Sequence, residues 1–250
     1  MKLRNTFATV LAAAAGVMGM AVAPAMAAAP ATTQAATTVT LKTPQLTTTF
    51  SSTNLSYGQT LKGTVHLGPT ATNRTVTVYA ENWSTGAIFV AATGKVNSAG
   101  NFTFTYWESQ TRTWWAVFSG DASDNKVVTK GVGVHVNGKV SASLAGYYKT
   151  STWAGHTLRT FHKTANIVFN GQALPDNGKA SIDIQVHNSK NGQWVDTGST
   201  PFNLGSDGKF SLNAGKDTST GLVFRVIITD PGTKGNGAGY SSWLYLSSTN

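Results

Sequence analysis

The run Thr75-Val-Thr-Val-Tyr-Ala-Glu81 alternates apolar and polar side chains almost residue by residue, and Thr113-Trp-Trp-Ala-Val-Phe-Ser119 is a short apolar run of aromatic residues with Ala and Val, bounded by Thr and Ser. A period of two marks a strand with one buried face, because successive side chains point to opposite sides of a sheet. Similar runs cover Thr60–Leu67, Ile88–Thr93, Asn101–Trp107 and Gly131–Asn137, with Gly, Asn and Asp turns between them. Short strands with turn signals about every 8–12 residues predict an all-β sandwich. Composition agrees. The 250 residues include 26 Gly and 37 Thr, and only 12% are charged, about half the roughly 25% of ordinary soluble chains. That mix disfavours helix. The 40% hydrophobic and 10% aromatic residues can bury a core rather than leave the chain disordered.

The pattern occurs twice. Gly58-Gln-Thr-Leu61 recurs as Gly155-His-Thr-Leu158, Thr75–Ala80 as Ser181–Val186, Ala99-Gly-Asn-Phe102 as Asp207-Gly-Lys-Phe210, and Asp121 as Asp230. The order is kept while the offset grows from 97 to 109. Two units of one design are expected, with most of the extra length of the second between Leu158 and Ser181. The turn-prone Asn137-Gly138-Lys139 sets the expected boundary, giving units over 45–137 and 138–250.

Four segments of the first unit carry a family resemblance: Tyr57-Gly-Gln-Thr-Leu61, Thr75-Val-Thr-Val-Tyr79, Ala99-Gly-Asn-Phe-Thr-Phe104 and Ala116-Val-Phe-Ser-Gly-Asp121. They resemble the bacterial Ig-like repeat, whose strand ending in Tyr/Phe-Ser-Gly-Asp is its most specific piece. The second unit is similar in pattern only, with Ile228-Thr-Asp230 in place of that ending. The resemblance implies two tandem immunoglobulin-like β-sandwiches and adhesion, wall-associated or spacer roles outside the cell. It carries over no catalytic residue, and a fold by itself assigns no function.

The first residues read as an address. Lys2 and Arg4 precede an apolar run from Thr6 to Ala23, and Ala25-Met-Ala27 has the small-x-small form of a cleavage site. Residues 1–27 are therefore expected to be a secretory signal peptide, leaving no transmembrane segment once cleaved. Residues 28–44, rich in Ala and Thr, are expected to form a flexible leader. Cleavage would leave 17 basic and 10 acidic residues, a charge of +7, and would remove all four Met from a chain that has no Cys. A product free of sulfur suits an extracellular setting. The end of the chain suggests release, or attachment to a surface without a covalent anchor.

Strand parity sorts the faces. With Val76, Val78 and Ala80 inward, Tyr79 and Trp83 point outward; the resemblance to the Ig-like repeat implies Trp114, Ala116 and Phe118 inward, which leaves Trp115 and Val117 outward, and His135 points outward beside inward Val134 and Val136. In the Ig arrangement these strands are neighbours, so Tyr79, Trp83, Trp115, Val117 and His135 are expected to share one outer face. In the second unit Phe224, Val226 and Ile228 are placed inward, leaving Arg225 outside because burying its charge is costly. Inward Leu244 and Leu246 are expected to expose Trp243 and Tyr245. Such aromatic faces either bind a partner or are covered by a loop or the other unit. Separately, Lys126, Lys130, Lys139, Lys149, Arg159 and Lys163 lie in an acid-free stretch spanning the expected junction. They suggest a contact to an anionic surface such as a cell-wall polymer, or ordinary solvated lysines.

Catalytic patterns are weak. The five His form no His-x-x-x-His pair, although His156 and His162 could meet on a loop. No Gly-x-Ser-x-Gly elbow occurs, and the two Glu, Glu81 and Glu108, lie at strand ends. Asp121-Ala-Ser-Asp-Asn125 could offer oxygens to Ca²⁺, but such residues more simply stabilise a turn. Neither metal nor cofactor is expected, and nucleic acid is disfavoured because the basic residues do not interleave with aromatics. The sequence thus predicts a secreted, non-enzymatic binding or adhesion protein for a cell surface, a cell wall or another extracellular protein. Alternatives are a carbohydrate-binding module using exposed Trp and Tyr, and an extracellular protease inhibitor, although no disulfide can brace an inhibitory loop.

Overall fold

The computed structural model describes residues 41–68 and 73–250. The expected signal peptide and almost all of the expected leader lie outside the described residues. Of the leader, Lys42 forms a parallel bridge to Asp124 and Pro44 is buried, so its last residues are docked rather than free.

The described residues are all β. The first half contains β1 (Gln45–Phe50), β2 (Asn54–Ser56), β3 (Thr60–Gly68), β4 (Thr75–Asn82), β5 (Ile88–Lys95), β6 (Asn101–Trp107), β7 (Arg112–Phe118), β8 (Val127–Val128) and β9 (Val132–Asn137). A sheet of order β1-β3-β6 packs on one of order β2-β9-β7-β4-β5, with β8 beside β7. Between them lie Leu61, Val65, Val76, Val78, Trp114, Ala116, Val134 and Val136, none of them exposed to solvent. Full burial of a Leu or Val side chain such as those of Leu61 and Val65 is worth roughly 1.5–3 kcal/mol relative to exposure.

The second half contains β10 (Lys139–Ala145), β11 (Lys149–Trp153), β12 (His156–His162), β13 (Asn166–Leu174), β14 (Lys179–Asn188), β15 (Gln193–Asn203), β16 (Lys209–Lys216), β17 (Val223–Asp230), β18 (Gly239–Tyr240) and β19 (Leu244–Thr249). Its sheets run β10-β13-β16 and β11-β12-β19-β17-β14-β15, with β18 beside β17. A separate core of Phe161, Phe169, Ile182, Val226, Ile228 and Leu246 fills the space between them. Strand for strand this is the order of the first half, with β11 added.

Three details repeat. Short β2 pairs in parallel with β9, and β12 pairs in parallel with β19. A bulge interrupts β4–β5 between Val78 and Tyr79, and the corresponding β14–β15 pairing between Ile184 and Gln185. Gly63 faces Phe104 and Gly171 faces Phe210, each ring lying where a Cβ would sit 2.4–2.5 Å from it. Glycine there lets the facing ring lie flat against the strand.

One expected recurrence is not structural. Leu61 lies in β3, between β1 and β6, whereas Leu158 lies in β12, between β11 and β19. Both segments enter a strand through a left-handed glycine, Gly58 and Gly155, each at φ 81°. The local turn chemistry is shared while the place in the sheet differs; the true counterpart of β3 is β13.

The halves meet end to end. The β17–β18 loop reaches the β6–β7 loop, where Thr111 N donates to Gly235 O at 2.7 Å and Asn236 Nδ2 donates to Ser109 O at 3.0 Å. Gly138 N donates to Gly237 O, and Gly237 N to Val136 O. A Cβ on Gly239 would lie 2.5 Å from the carbonyl carbon of Gly138. Behind this contact the buried carboxylate of Asp230 accepts from Gly232 N and Asn177 Nδ2. On the first half's side, buried Glu108 pairs with Arg112, which also donates to Asn82 Oδ1.

Candidate functional site

Four strands of the first half, β5, β4, β7 and β9, present an outer face. Cross-strand register places Val90, Tyr79 and Trp115 in one row, and Thr93, Thr77, Val117 and Val128 in the next. The Tyr79 and Trp115 rings lie with centroids 5.8 Å apart and planes 10° from parallel. Trp83, just beyond β4, donates its indole N–H to Thr113 Oγ1 at 2.8 Å and meets the His135 ring edge-on at 5.0 Å. Gly133 has no side chain to lift that indole off the sheet; a Cβ there would be 3.4 Å from it. All five expected residues thus share the face. Trp83 is 48% exposed, and Ile88 and Val90 on edge strand β5 are 60% and 55% exposed. Those two were missed, although the alternation of β5 displays them.

The second half carries a different cluster. Val226 and Ile228 are buried and Phe224 packs against the core, which leaves Arg225 on the outer face. Its Nε donates to Gln185 Oε1 at 2.7 Å, and its guanidinium carbon lies 4.5 Å and 4.3 Å from the ring centroids of Trp194 and Trp243. Tyr245 corrects the expectation of exposure: it is only 7% exposed. It does turn away from the core, but β11 folds back along β12 and β15 returns along β14, covering it. His156 stacks on it at 4.2 Å, with Trp194 at 6.0 Å and Trp153 at 6.3 Å. His187 completes the group, 4.9 Å from Trp153 and 5.2 Å from Trp194. Trp243 is half-buried. Trp153 and Trp194 were missed because only hairpin geometry brings them to β19.

The expected basic patch is dispersed. Lys139 begins β10 at the junction; Lys149 and Lys163 lie at the far end of the second half, and Arg159 lies between, its guanidinium over Tyr147. Lys126 and Lys130 flank β8, at the far end of the first half. Strands of six or seven residues span roughly 20 Å, more than a Debye length of about 8–10 Å. The six therefore do not form one patch, although Lys149, Arg159 and Lys163 stay near one another at the end of the β11–β12 pair, with Lys149 opposite Thr160 and Arg159 opposite Thr150.

The remaining candidates for chemistry are occupied structurally. Asp121 Oδ1 accepts from Ser123 N and Asp124 N, and Arg74 pairs with both carboxylates. The turn's cation is thus an arginine, and these hydrogen bonds, with Arg74, hold the Asp121 carboxyl below the usual range. His156 and His162 sit at opposite ends of β12 rather than meeting, and His162 stacks on Tyr148 at 3.8 Å. His66 bonds Asn101 at 2.9 Å. Among the described residues no group of three His, Cys, Asp or Glu could hold a metal ion. The chain matches no family model and no curated protein.

Proposed function

We propose that the protein is a non-enzymatic extracellular binding protein, and that it attaches to glycan on a cell surface or wall through the outer face of its first half. The observation that carries this reading is the Tyr79–Trp115 ring pair, near-parallel and half-buried on the outer sheet face, bordered by exposed Trp83, Ile88 and Val90. Pyranose rings present apolar C–H faces that pack on aromatic surfaces, and Thr77, Thr93 and Glu81 supply neighbouring polar groups for hydroxyls. The first half's resemblance to the bacterial Ig-like repeat, and the secretory pattern of residues 1–27, support an extracellular setting.

A protein partner is the second reading, favoured by the exposed apolar edge formed by Ile88 and Val90. The test is retention of the protein on purified cell walls across a salt series, with Trp115→Ala and Val90→Asp variants. Loss with Trp115→Ala alone supports glycan contact. Absence of retention at any salt contradicts wall attachment and leaves the protein partner.

A further inference from the structure

The second half's aromatic cluster has a chemistry of its own. Arg225 lies against two indoles, and Gln185 fixes its Nε. Among the described residues its terminal nitrogens make no hydrogen bond to protein, and no carboxylate comes within ion-pair distance of it. Asp183 is engaged by Thr229 Oγ1, and Asp196 accepts from Gly198 N. The result is a half-buried, oriented cation whose faces contact aromatic rings and whose edge donors are unused. A guanidinium presents those donors as a fork that matches the paired oxygens of a carboxylate or phosphate. Removal from bulk water strengthens such an ion pair once formed. The exposed His156 ring and the His187 ring bring no negative charge to the site.

We propose that Arg225, set against Trp194 and Trp243, binds an oxyanion carried on a sugar or polyol chain, with the indoles packing on the adjoining ring or backbone. This rests on the glycan-binding reading but uses a different face. It gives the protein two unlike contacts, a neutral stacking face in the first half and an acidic-group site in the second. Two sources share the chemistry: the carboxylate of a uronic acid and the phosphodiester of a polyol-phosphate polymer.

The test is calorimetric titration of the purified protein with oligogalacturonate, with an uncharged galactose oligomer of equal length, and with oligo(glycerol phosphate). The wild-type protein should bind at least one acidic ligand tenfold or more tighter than the neutral one, and the preference should shrink as salt rises. Whichever acidic ligand binds identifies the source. Arg225→Gln should abolish the preference, and Arg225→Lys should retain only part of it, since an ammonium offers no fork. Equal affinity of the wild-type protein for acidic and neutral chains overturns the proposal without reliance on any variant. So does a preference that survives Arg225→Gln. If neutral oligomer binds and Trp115→Ala removes that binding while no acidic preference exists, this inference alone fails. If no saccharide of any kind binds, the glycan reading fails with it.

Discussion

Glu108 and Arg112 form an ion pair at the end of the first sandwich, and the carboxylate has no solvent exposure. Burial pushes the Glu108 carboxyl up to about 7 from an ordinary 4.5, against the charge and hydrogen bond of Arg112, which pull it down. The indole of Trp114 also favours the charged form, yet neither its N–H nor Glu108 Oε1 has a partner in hydrogen-bond geometry. A carboxyl whose pKa rises on folding contributes its full stabilisation below about 4.5 and loses it as pH rises through about 7. Urea unfolding should therefore show a loss on the order of 2–3 kcal/mol between pH 4.5 and pH 8 from this group. Glu108→Gln should flatten that slope; an identical slope in the variant contradicts the assignment.

The junction depends on backbones that approach without side chains. Gly239→Ala would press a methyl group into the Gly138 carbonyl, with no flexible atom to yield. A cost of about 1–3 kcal/mol is expected in thermal unfolding. Small-angle scattering should show a larger radius of gyration as the two halves separate. Unchanged scattering with unchanged stability would show that the contact is not needed.

Arg74 serves two carboxylates at once, and Asp124 is buried. Arg74→Met should destabilise the protein by roughly 3 kcal/mol, chiefly by leaving Asp124 unpaired out of water. Replacing Asp124 by Leu in the same chain should recover most of that loss in denaturant titration. No recovery would place the effect elsewhere, in the packing of Arg74 over Phe118.

Tyr245 and Tyr79 occupy outer faces of the two sandwiches but differ in cover. Tyr245→Ala removes a ring packed by His156, Trp153 and Trp194 and should cost about 3 kcal/mol. Tyr79→Ala, at a half-buried ring packed only on Trp115 among the aromatics, should cost under about 1.5 kcal/mol. Equal costs in parallel denaturation curves would mean the two faces are covered alike.

How far the sequence reached follows from the range of each determinant. Val76, Val78 and Ala80 are buried as a local period of two predicts, whereas Trp114–Phe118 is apolar at every position and its inward set, Trp114, Ala116 and Phe118, was readable only through the resemblance to the Ig-like repeat. Together these inward sets leave Tyr79, Trp115 and Trp83 on one face. The likeness of Gly58–Leu61 to Gly155–Leu158 misled because it records a turn, and a turn does not say which sheet position the next strand takes. Trp153 and Trp194 reach Tyr245 only through the return of β11 and β15, a tertiary event that no short window contains. The lysines of 126–163 are near in sequence, but extended strands carry neighbours in sequence to opposite ends of the molecule.

If the Tyr79–Trp115 face holds glycan, indole fluorescence will respond as soluble neutral oligosaccharides are titrated into the protein at high salt. Saturable quenching should persist at 0.5 M salt (roughly a 4 Å Debye length). Trp115→Ala should weaken it tenfold or more, while the variant's unfolding midpoint stays near that of the wild type. Quenching that is absent with every glycan, or identical in Trp115→Ala, would contradict glycan binding at this face.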